Sequence, residues 1–185
     1  TFREYVTENL RQVIGFKEAP EGEYLHGIDV SRYQKIIHWD QLKKDSSSDK
    51  IDFVIIKATE GNYLRDKFLT SNFREAKKIG IPIGVYHYYR SDQNSVEQAN
   101  FFLKNVELSS GDLPPFLDVE HESKIQSLDS FKKGIRSWLS IVEDHYGLKP
   151  IIYTNSDFYN RIIKDDFDGY KLWIANYNNV KDPLP

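Results

Sequence analysis

The chain has 185 residues, which is enough for one domain with a sizeable core. A net charge of −3 gives no support for binding to nucleic acid or to an anionic membrane surface. Cysteine is absent, so disulfides, thiol catalysis and thiolate metal sites are excluded within this sequence. No stretch approaches the roughly 18 consecutive apolar residues of a membrane span.

The first predicted element is an amphipathic helix over residues 2–14, where apolar side chains recur near one face. Residues 15–23 contain glycine, proline and acidic residues, a composition typical of a linker. We therefore predict an N-terminal helical extension and linker over residues 1–23, followed by one domain over residues 24–185.

Strands and helices alternate through that domain. The apolar, Val- and Ile-rich segments predict strands over residues 24–30, 52–59, 81–89, 115–120, 151–154 and 171–175. Helices are predicted over residues 39–44, 70–79, 95–106, 130–146 and 156–163, and a polar loop over residues 45–50. Gly80 is a C-cap candidate for the second helix, and Ser95 with Gln98 fits a capping box at the third. This order favours a parallel sheet buried on both faces, either an open doubly wound sheet or a barrel.

Two acids follow the fourth predicted strand in the sequence PPFLDVEH, residues 114–121. Strand side chains alternate between faces, so Phe116, Asp118 and Glu120 point one way. The two acids lie at the carboxyl end of the strand, where ligands bind in barrels and in open α/β sheets. Residues two apart on a strand have Cα atoms roughly 6.5–7 Å apart, so the acids are neighbours.

Other predicted strands end in residues of the same character. Asp29 lies at the carboxyl end of the first strand, and the third offers Tyr86, His87, Tyr88 and Tyr89. The fifth and sixth strands contribute aromatic candidates, which are Tyr153, Trp173 and Tyr177. These side chains would converge on one pocket only if the sheet closes as a barrel.

Clustered carboxyl groups are suited to glycoside hydrolysis. Acids held close together cannot all ionise cheaply, so one keeps its proton at neutral pH. The protonated acid can protonate the leaving oxygen while its ionised partner stabilises the oxocarbenium-like centre. Taken singly, however, an Asp-x-Glu pair is common on solvated surfaces, Asp29 could cap the next segment, and His87, Trp173 and Tyr177 are more often core residues.

The sequence contains little that would indicate a nucleotide site or a metal site. No G-x-G-x-x-G and no G-x-x-x-x-G-K-[ST] follows a predicted strand. Asp118, Glu120, His87 and His121 could form a metal site, but no His-x-x-x-His or His-Glu-x-x-His spacing accompanies them. We therefore expect no metal and no cofactor.

Six blocks in order resemble the glycoside hydrolase family 25 lysozymes, or muramidases. They are GIDVSRYQ at 27–34, FVIIKATEG at 53–61, IGVYHYY at 83–89, PPFLDVE at 114–120, PIIYTN at 150–155 and LWIANY at 172–177. The resemblance covers about residues 25–180. It implies an α/β fold that is a modified TIM-like (β/α) barrel, with five β/α units followed by extra strands.

The resemblance also implies a reaction, the hydrolysis of the β-1,4 bond from N-acetylmuramic acid to N-acetylglucosamine in peptidoglycan. Glu120 matches the family's general acid. Asp118 matches its partner, which orients or stabilises the 2-acetamido group of the substrate or acts as the nucleophile. Asp29 matches a further acid of the active site. Tyr86, Tyr153, Trp173 and Tyr177 match positions that line the sugar groove.

One departure from the family pattern is that the sequence stops at KDPLP, residues 181–185. We expect that the last two strands and one active-site acid of the family are missing, which puts the activity of this chain in question. A non-catalytic peptidoglycan- or chitin-binding module is the first alternative. A chitinase-like hydrolase is the second, although its D-x-x-D-x-D-x-E run is absent.

The expected partner is the glycan strand of peptidoglycan, with no nucleic acid and no metal, and we expect a monomer. The expected location is the bacterial cell envelope or the outside of the cell. The sequence does not begin with methionine and shows no signal peptide, so we expect that such a segment, if used, has been removed.

Overall fold

The computed structural model describes residues 25–44 and 51–175. The predicted N-terminal helix and linker, the predicted loop at residues 45–50 and the candidate Tyr177 lie outside the described residues. No helix within the described ranges has the length and apolar character that crossing a bilayer requires.

Seven strands form one sheet in the described part of the chain. They are β1 (Gly27–Val30), β2 (Phe53–Glu60), β3 (Leu64–Arg65), β4 (Ile83–Tyr88), β5 (Phe116–Asp118), β6 (Ile151–Asn155) and β7 (Leu172–Ala175). Six of them are parallel in the order β1-β2-β4-β5-β6-β7, and β3 pairs antiparallel with β2. The sequence did not predict β3, because two residues are too short for a recognisable alternation.

Helical segments connect consecutive parallel strands. They are α1 (Trp39–Lys44), α2 (Leu69–Ile79), α3 (Ser95–Asn105), α4 (Leu128–Tyr146) and α5 (Ser156–Phe158). A 3₁₀ turn at Arg32–Gln34 follows β1, and a π-helical turn at Tyr159–Ile163 extends α5. Gly80 ends α2 in the left-handed conformation with φ 76°, as predicted, because glycine adopts that conformation without a steric penalty.

The predicted capping box on the third helix is wrong. Asn94 is the N-cap of α3, and its Oδ1 accepts from the backbone N–H groups of Val96 at 2.9 Å and Glu97 at 3.1 Å. The Ser95 hydroxyl instead bonds the Tyr89 hydroxyl, and Gln98 is fully buried. The side chain of Asn94, one residue earlier in the chain, thus satisfies the first free backbone donors of α3.

The strand order identifies the sheet as barrel-like. Each parallel strand lies beside the next parallel strand along the chain, whereas a doubly wound sheet reverses direction at a switch point. The sheet also curls: the Trp173 ring on β7 lies 6.4 Å from the Phe53 ring on β2 and 5.8 Å from the Phe116 ring on β5. The described chain is therefore an α/β half-barrel, and the doubly wound alternative is wrong.

The two faces of the sheet have different surroundings. The outer face packs against the helices and forms the main core, with fully buried side chains such as Phe102, Phe131, Trp138, Leu139 and Ile152. On the inner face, Ile55 and Phe116 are buried together beside Gly84. A Cβ atom at Gly84 would lie 2.6 Å from Ile55 Cδ1 and 2.8 Å from Phe116 Cε2, so this closely packed floor has no room for a side chain there. Polar groups on the inner face are consequently displaced toward the carboxyl ends of the strands.

Candidate active site

Asp118 lies in the middle of a polar layer above this floor. In the parallel register it is paired with Tyr88 of β4 on one side and Tyr153 of β6 on the other. Paired residues of adjacent strands share a face, so all three side chains point into the half-barrel. The structure thus brings together three of the residues that the sequence predicted for the site.

The Asp118 carboxyl group is buried, with 8% of the residue exposed. Within the described residues its Oδ1 has no hydrogen-bond partner. Burial first, and then the negative charge of Glu120, raise the pKa of Asp118 well above its usual value, and the positive charge of Lys57 acts in the opposite direction. A buried acceptor without a partner is a common feature of a ligand site, because a ligand donor can satisfy it.

Glu120 lies two residues beyond the end of β5. The intervening Val119 donates its backbone N–H to Tyr153 O at 2.9 Å, and its own carbonyl accepts from Thr154 Oγ1 at 2.7 Å. These bonds continue the strand direction, so Glu120 follows Asp118 at the mouth of the pocket and is only half-buried. Burial raises the pKa of Glu120, while the charges of His121 and Lys57 oppose that shift.

Asp29 enters the same site from β1. As a whole residue it is exposed, yet the protein atoms packed around its carboxyl group raise its pKa, against a backbone hydrogen bond that lowers it. Its negative charge also contributes to the raised pKa values of Asp118 and Glu120. The segment after it is fixed by Asp66, whose carboxylate accepts from the Arg32 N–H and the Phe68 N–H, both at 2.9 Å.

Two tyrosines of β4 border these acids. Burial and the charges of Asp118 and Asp29 raise the pKa of Tyr86, and burial with the charges of Glu120 and Asp118 raises the pKa of Tyr88 to about 12. Both phenols are therefore neutral at physiological pH and can donate or accept hydrogen bonds. Trp173 stands edge-on to Tyr153, with ring centroids 5.4 Å apart, and its ring also contacts that of Phe116 in the floor at 5.8 Å.

His87 does not belong to this pocket, contrary to the sequence-based expectation. It lies between Tyr86 and Tyr88 on β4, so it points to the outer face, where none of its surface is exposed. Its ring stacks on Trp138 at 5.4 Å, Nδ1 bonds Thr59 Oγ1 at 2.8 Å, and Nε2 bonds Gln98 Oε1 at 3.1 Å. Burial lowers the pKa of His87 to about 4, so this is a neutral core histidine.

Three charged residues of the site were missed by the sequence analysis. Lys57 and Glu60 of β2 are 4% and 7% exposed, and Lys57 Nζ lies 2.7 Å from Glu60 Oε2. Arg90, which follows β4, donates to the other Glu60 oxygen, with Nε at 3.0 Å and also through Nη2. The FVIIKATEG block contains Lys57 and Glu60, but regular strand alternation would place them on opposite faces.

A cavity of about 600 Å³ lies between the loops that follow β4 and β5, and its lining contains Tyr88 and His121, the neighbours of Asp118 and Glu120, but none of the three acids. Tyr88, Arg90 and His121 lie on its side nearest the acids, and Glu122, Lys124 and Ile125 lie farther along the β5 loop. Its volume is in the range of known small-molecule sites. Within the described residues, no group of three or more His, Cys, Asp or Glu side chains is arranged to hold a metal ion.

Comparisons with known proteins agree with this geometry. The sequence pattern of "Glycosyl hydrolases family 25" matches residues 28–184. YegX, an uncharacterized protein of Escherichia coli K12, is 38% identical over 159 residues, covering 85% of this chain and 58% of YegX. Lysozyme M1 of Streptomyces globisporus is 32% identical over 174 residues, covering 87% of this chain and 58% of that lysozyme.

Solved structures give the same result. A family 25 glycosyl hydrolase from Bacillus anthracis superimposes with a TM-score of 0.76 at 30% identity, covering 85% of this chain and 74% of that one. The chain spans 58% of the length of each of the two curated relatives. On the match over residues 28–184, the chain belongs to glycosyl hydrolases family 25.

Proposed function

We propose that the protein is a peptidoglycan hydrolase that cleaves the β-1,4 bond between N-acetylmuramic acid and N-acetylglucosamine. One observation carries the proposal: Asp118 and Glu120, with Asp29 nearby, share the open end of an aromatic-lined half-barrel. The similarity to proteins named lysozyme, such as Lysozyme M1 of Streptomyces globisporus, supports this choice of substrate.

Burial raises the pKa of both acids, and the charge of Glu120 raises that of Asp118 further, so a pair that holds one proton is favoured over two negative charges. Glu120 is the member at the mouth of the pocket and is the less buried of the two, so it can reach a glycosidic oxygen. We assign Glu120 the role of general acid. In the first step it donates its proton to the leaving oxygen as the glycosidic bond breaks.

Asp118 has the complementary role. Its unpartnered Oδ1 can accept the N–H of the substrate's 2-acetamido group, and that bond favours the ionised form of Asp118 and leaves the shared proton on Glu120. The ionised carboxylate then stabilises the developing positive charge, either by orienting the acetamido oxygen for internal attack or by attacking the anomeric carbon itself. Glu120, now ionised, deprotonates the incoming water in the second step.

The aromatic side chains and the cavity supply sugar binding. Tyr88 and Tyr153 flank Asp118, with Tyr86 and Trp173 at the base of the pocket. Aromatic faces bind the apolar faces of sugar rings. We assign the cavity of about 600 Å³ beside Tyr88 to the sugar unit next to the cleaved bond.

Finer features of the fold and setting follow from the same proposal. The strand and helix order supports a modified barrel with five β/α units, in a domain over residues 24–185. The three acids come from one chain, which fits a monomer. Because peptidoglycan lies outside the cytoplasm, the proposed location is the cell envelope or the exterior.

A turbidity assay on purified cell walls tests the proposal. The full chain should clear the suspension, and Glu120→Gln should lower the rate by roughly 10²–10⁴-fold, the usual contribution of a general acid. Glu107→Gln is a matched control, because Glu107 is exposed in the loop between α3 and β5, at the end of the strands opposite the acids. Equal rates for the wild type and Glu120→Gln would refute the assignment.

A further inference from the structure

An irregularity in β2 brings an unusual charge into the pocket. Lys57 pairs with Tyr86 in the β2–β4 register, but the next pairs are Thr59 with His87 and Glu60 with Tyr88. The register shifts between Lys57 and Thr59, so one extra residue is inserted there. As a result Lys57 and Glu60, three positions apart, both face inward.

The contacts of these residues match that orientation. Thr59 faces outward and bonds the outer-face His87, whereas Lys57 Nζ lies 4.9 Å from the centroid of the inner-face Tyr88 ring and 5.8 Å from that of Tyr86. Among the residues whose side-chain burial the structure describes, Lys57 is the one lysine or arginine that is buried. A buried ammonium group is costly unless it is paired, so its retention in the pocket needs a partner and a reason.

Glu60 is the partner, and Arg90 fixes Glu60 in turn. Although burial raises the pKa of Glu60, the hydrogen bonds from Lys57 and Arg90 outweigh it and hold the pKa below its usual value. Glu60 is therefore ionised, and Lys57, Glu60 and Arg90 together carry one net positive charge. This charge lies beside the carboxyl groups that the proposed reaction requires.

Charged and titratable groups face Asp118 from several elements. They come from β1, β2, β4, β6 and the segment after β5, and are Asp29, Lys57, Glu60, Tyr86, Tyr88, Tyr153 and Glu120. Lys57 is the cation in this set, and its effect on Asp118 is opposite to that of Glu60, Asp29 and Glu120. The carboxyl groups alone would repel one another into their neutral forms.

We propose that Lys57 is a positioning residue of the active site, whose ammonium group, held in place by Glu60 and Arg90, favours the ionised form of Asp118. The inference rests on the proposed function only for its kinetic consequence. The effect of the Lys57 charge on the ionisation of Asp118 is a property of the free protein and does not depend on the reaction. The proposal also explains the register shift in β2. Without that shift Glu60 would face the helices, and Lys57 would lack its counter-charge.

Two substitutions with opposite expected signs test the proposal. Side-chain ¹³C NMR of the full chain follows the titration of each carboxyl group, and Asp118→Asn identifies the Asp118 signal by its loss. Lys57→Met keeps the chain length but removes the charge, and should raise the titration midpoint of Asp118 by about one pH unit, a modest value for a neighbouring opposite charge. Glu60→Gln removes a negative charge and should lower the same midpoint. Lys57→Arg should keep the wild-type midpoint.

A purely structural role gives a different pattern. In that case Lys57→Met would lower the melting temperature and reduce kcat equally at every pH, with the Asp118 midpoint unchanged. An unchanged midpoint, or a shift of the same sign in Lys57→Met and Glu60→Gln, overturns the proposal. If Lys57→Met does not fold, Lys57→Gln is measured in its place, and an unchanged Asp118 midpoint in that variant overturns the proposal.

The kinetic readout separates this inference from the proposed function. In the wild-type protein and in variants that hydrolyse peptidoglycan, the pH at the midpoint of the acidic limb of the kcat/KM profile should follow the NMR midpoint of Asp118. It should therefore be higher in Lys57→Met than in the wild type. If no variant and no wild-type protein hydrolyses peptidoglycan, the proposed function fails while the NMR shifts still test Lys57.

Discussion

Asp118 and Tyr88 are partners in the parallel register of β5 and β4, so a buried carboxyl group lies beside a half-buried phenol. The charge of Asp118 contributes to raising the pKa of Tyr88 to about 12, and burial with the charge of Glu120 raises the pKa of Asp118. Both groups thus favour their neutral forms. The folded protein thus maintains a site in which negative charge is costly and is compensated only in part by the charge of Lys57.

The free-energy cost of ionising the buried Asp118 carboxyl group should appear in the pH dependence of folding stability. Its folded pKa is raised above the ordinary value of 3.8, so the folded state holds its proton at pH values where the unfolded chain has lost it. Stability from this group is therefore present at low pH and is lost as pH rises from about 4 through the folded pKa. The melting temperature of Asp118→Asn, relative to wild type, should increase between pH 4 and pH 8 in thermal unfolding followed by circular dichroism.

Asp165→Asn is the matched control, since Asp165 is exposed and far from the acid cluster in the chain. Its melting curve should run parallel to that of the wild type. A parallel curve for Asp118→Asn as well would show that Asp118 is not strained by burial.

His87 should make the fold sensitive to acid. Its pKa falls from 6.5 to about 4 on burial, so the unfolded chain binds a proton that the folded chain does not. Stability is lost as pH falls from about 6.5 to 4, by up to roughly 3 kcal/mol for this shift. His87→Gln, although less stable at neutral pH, should lose less stability over that interval in urea titrations at several pH values.

Exposed His145 provides the comparison for that experiment. His145→Gln should keep the acid sensitivity of the wild type. If His87→Gln keeps it too, another group is responsible.

Gln98 should couple the core to the active site. Its Oε1 accepts from the Arg90 N–H at 2.8 Å and contacts His87 Nε2, and its Nε2 donates to the carbonyl oxygens of Arg90 at 2.9 Å and Gln93 at 3.3 Å. Gln98→Leu leaves several buried groups without partners, which should cost about 2 kcal/mol of unfolding free energy. Because Arg90 holds Glu60, kcat should fall as well.

Lys104→Leu, on an exposed position of the same helix, should change the unfolding free energy by less than about 0.5 kcal/mol and leave kcat unchanged. Chemical denaturation and steady-state kinetics on the same samples give both quantities. A Gln98→Leu variant with wild-type stability would contradict the role of this side chain.

Regular parts of the fold were predictable from the sequence. β5 has no irregularity, so alternation gave the common face of Phe116 and Asp118 that the structure shows. The order of strands and helices followed from apolar segments and from Gly80. The same alternation rule, applied strictly to β4, would have excluded His87 from the pocket, because it lies between two inner-face tyrosines.

Other features depend on tertiary structure. The register shift in β2 reverses the face of Glu60, and no residue type in FVIIKATEG marks it. Ser95 and Gln98 have the right spacing for a capping box, but Asn94 is the N-cap of α3 and the side chain of Gln98 is buried in the core. The order of strands along the chain did not predict whether the sheet curls, because it fits an open sheet and a barrel equally well. The strand pairing and the ring contacts of Trp173 distinguish the two.

The most direct test of the central claim is mass spectrometry of the fragments that the full chain releases from purified peptidoglycan. Reduction of these fragments with borohydride marks the sugar at each new reducing end. We expect fragments whose new reducing end is N-acetylmuramic acid, and their loss in Glu120→Gln. Fragments ending in N-acetylglucosamine, or equal release by Glu120→Gln, would contradict the assignment of a muramidase with Glu120 as its acid.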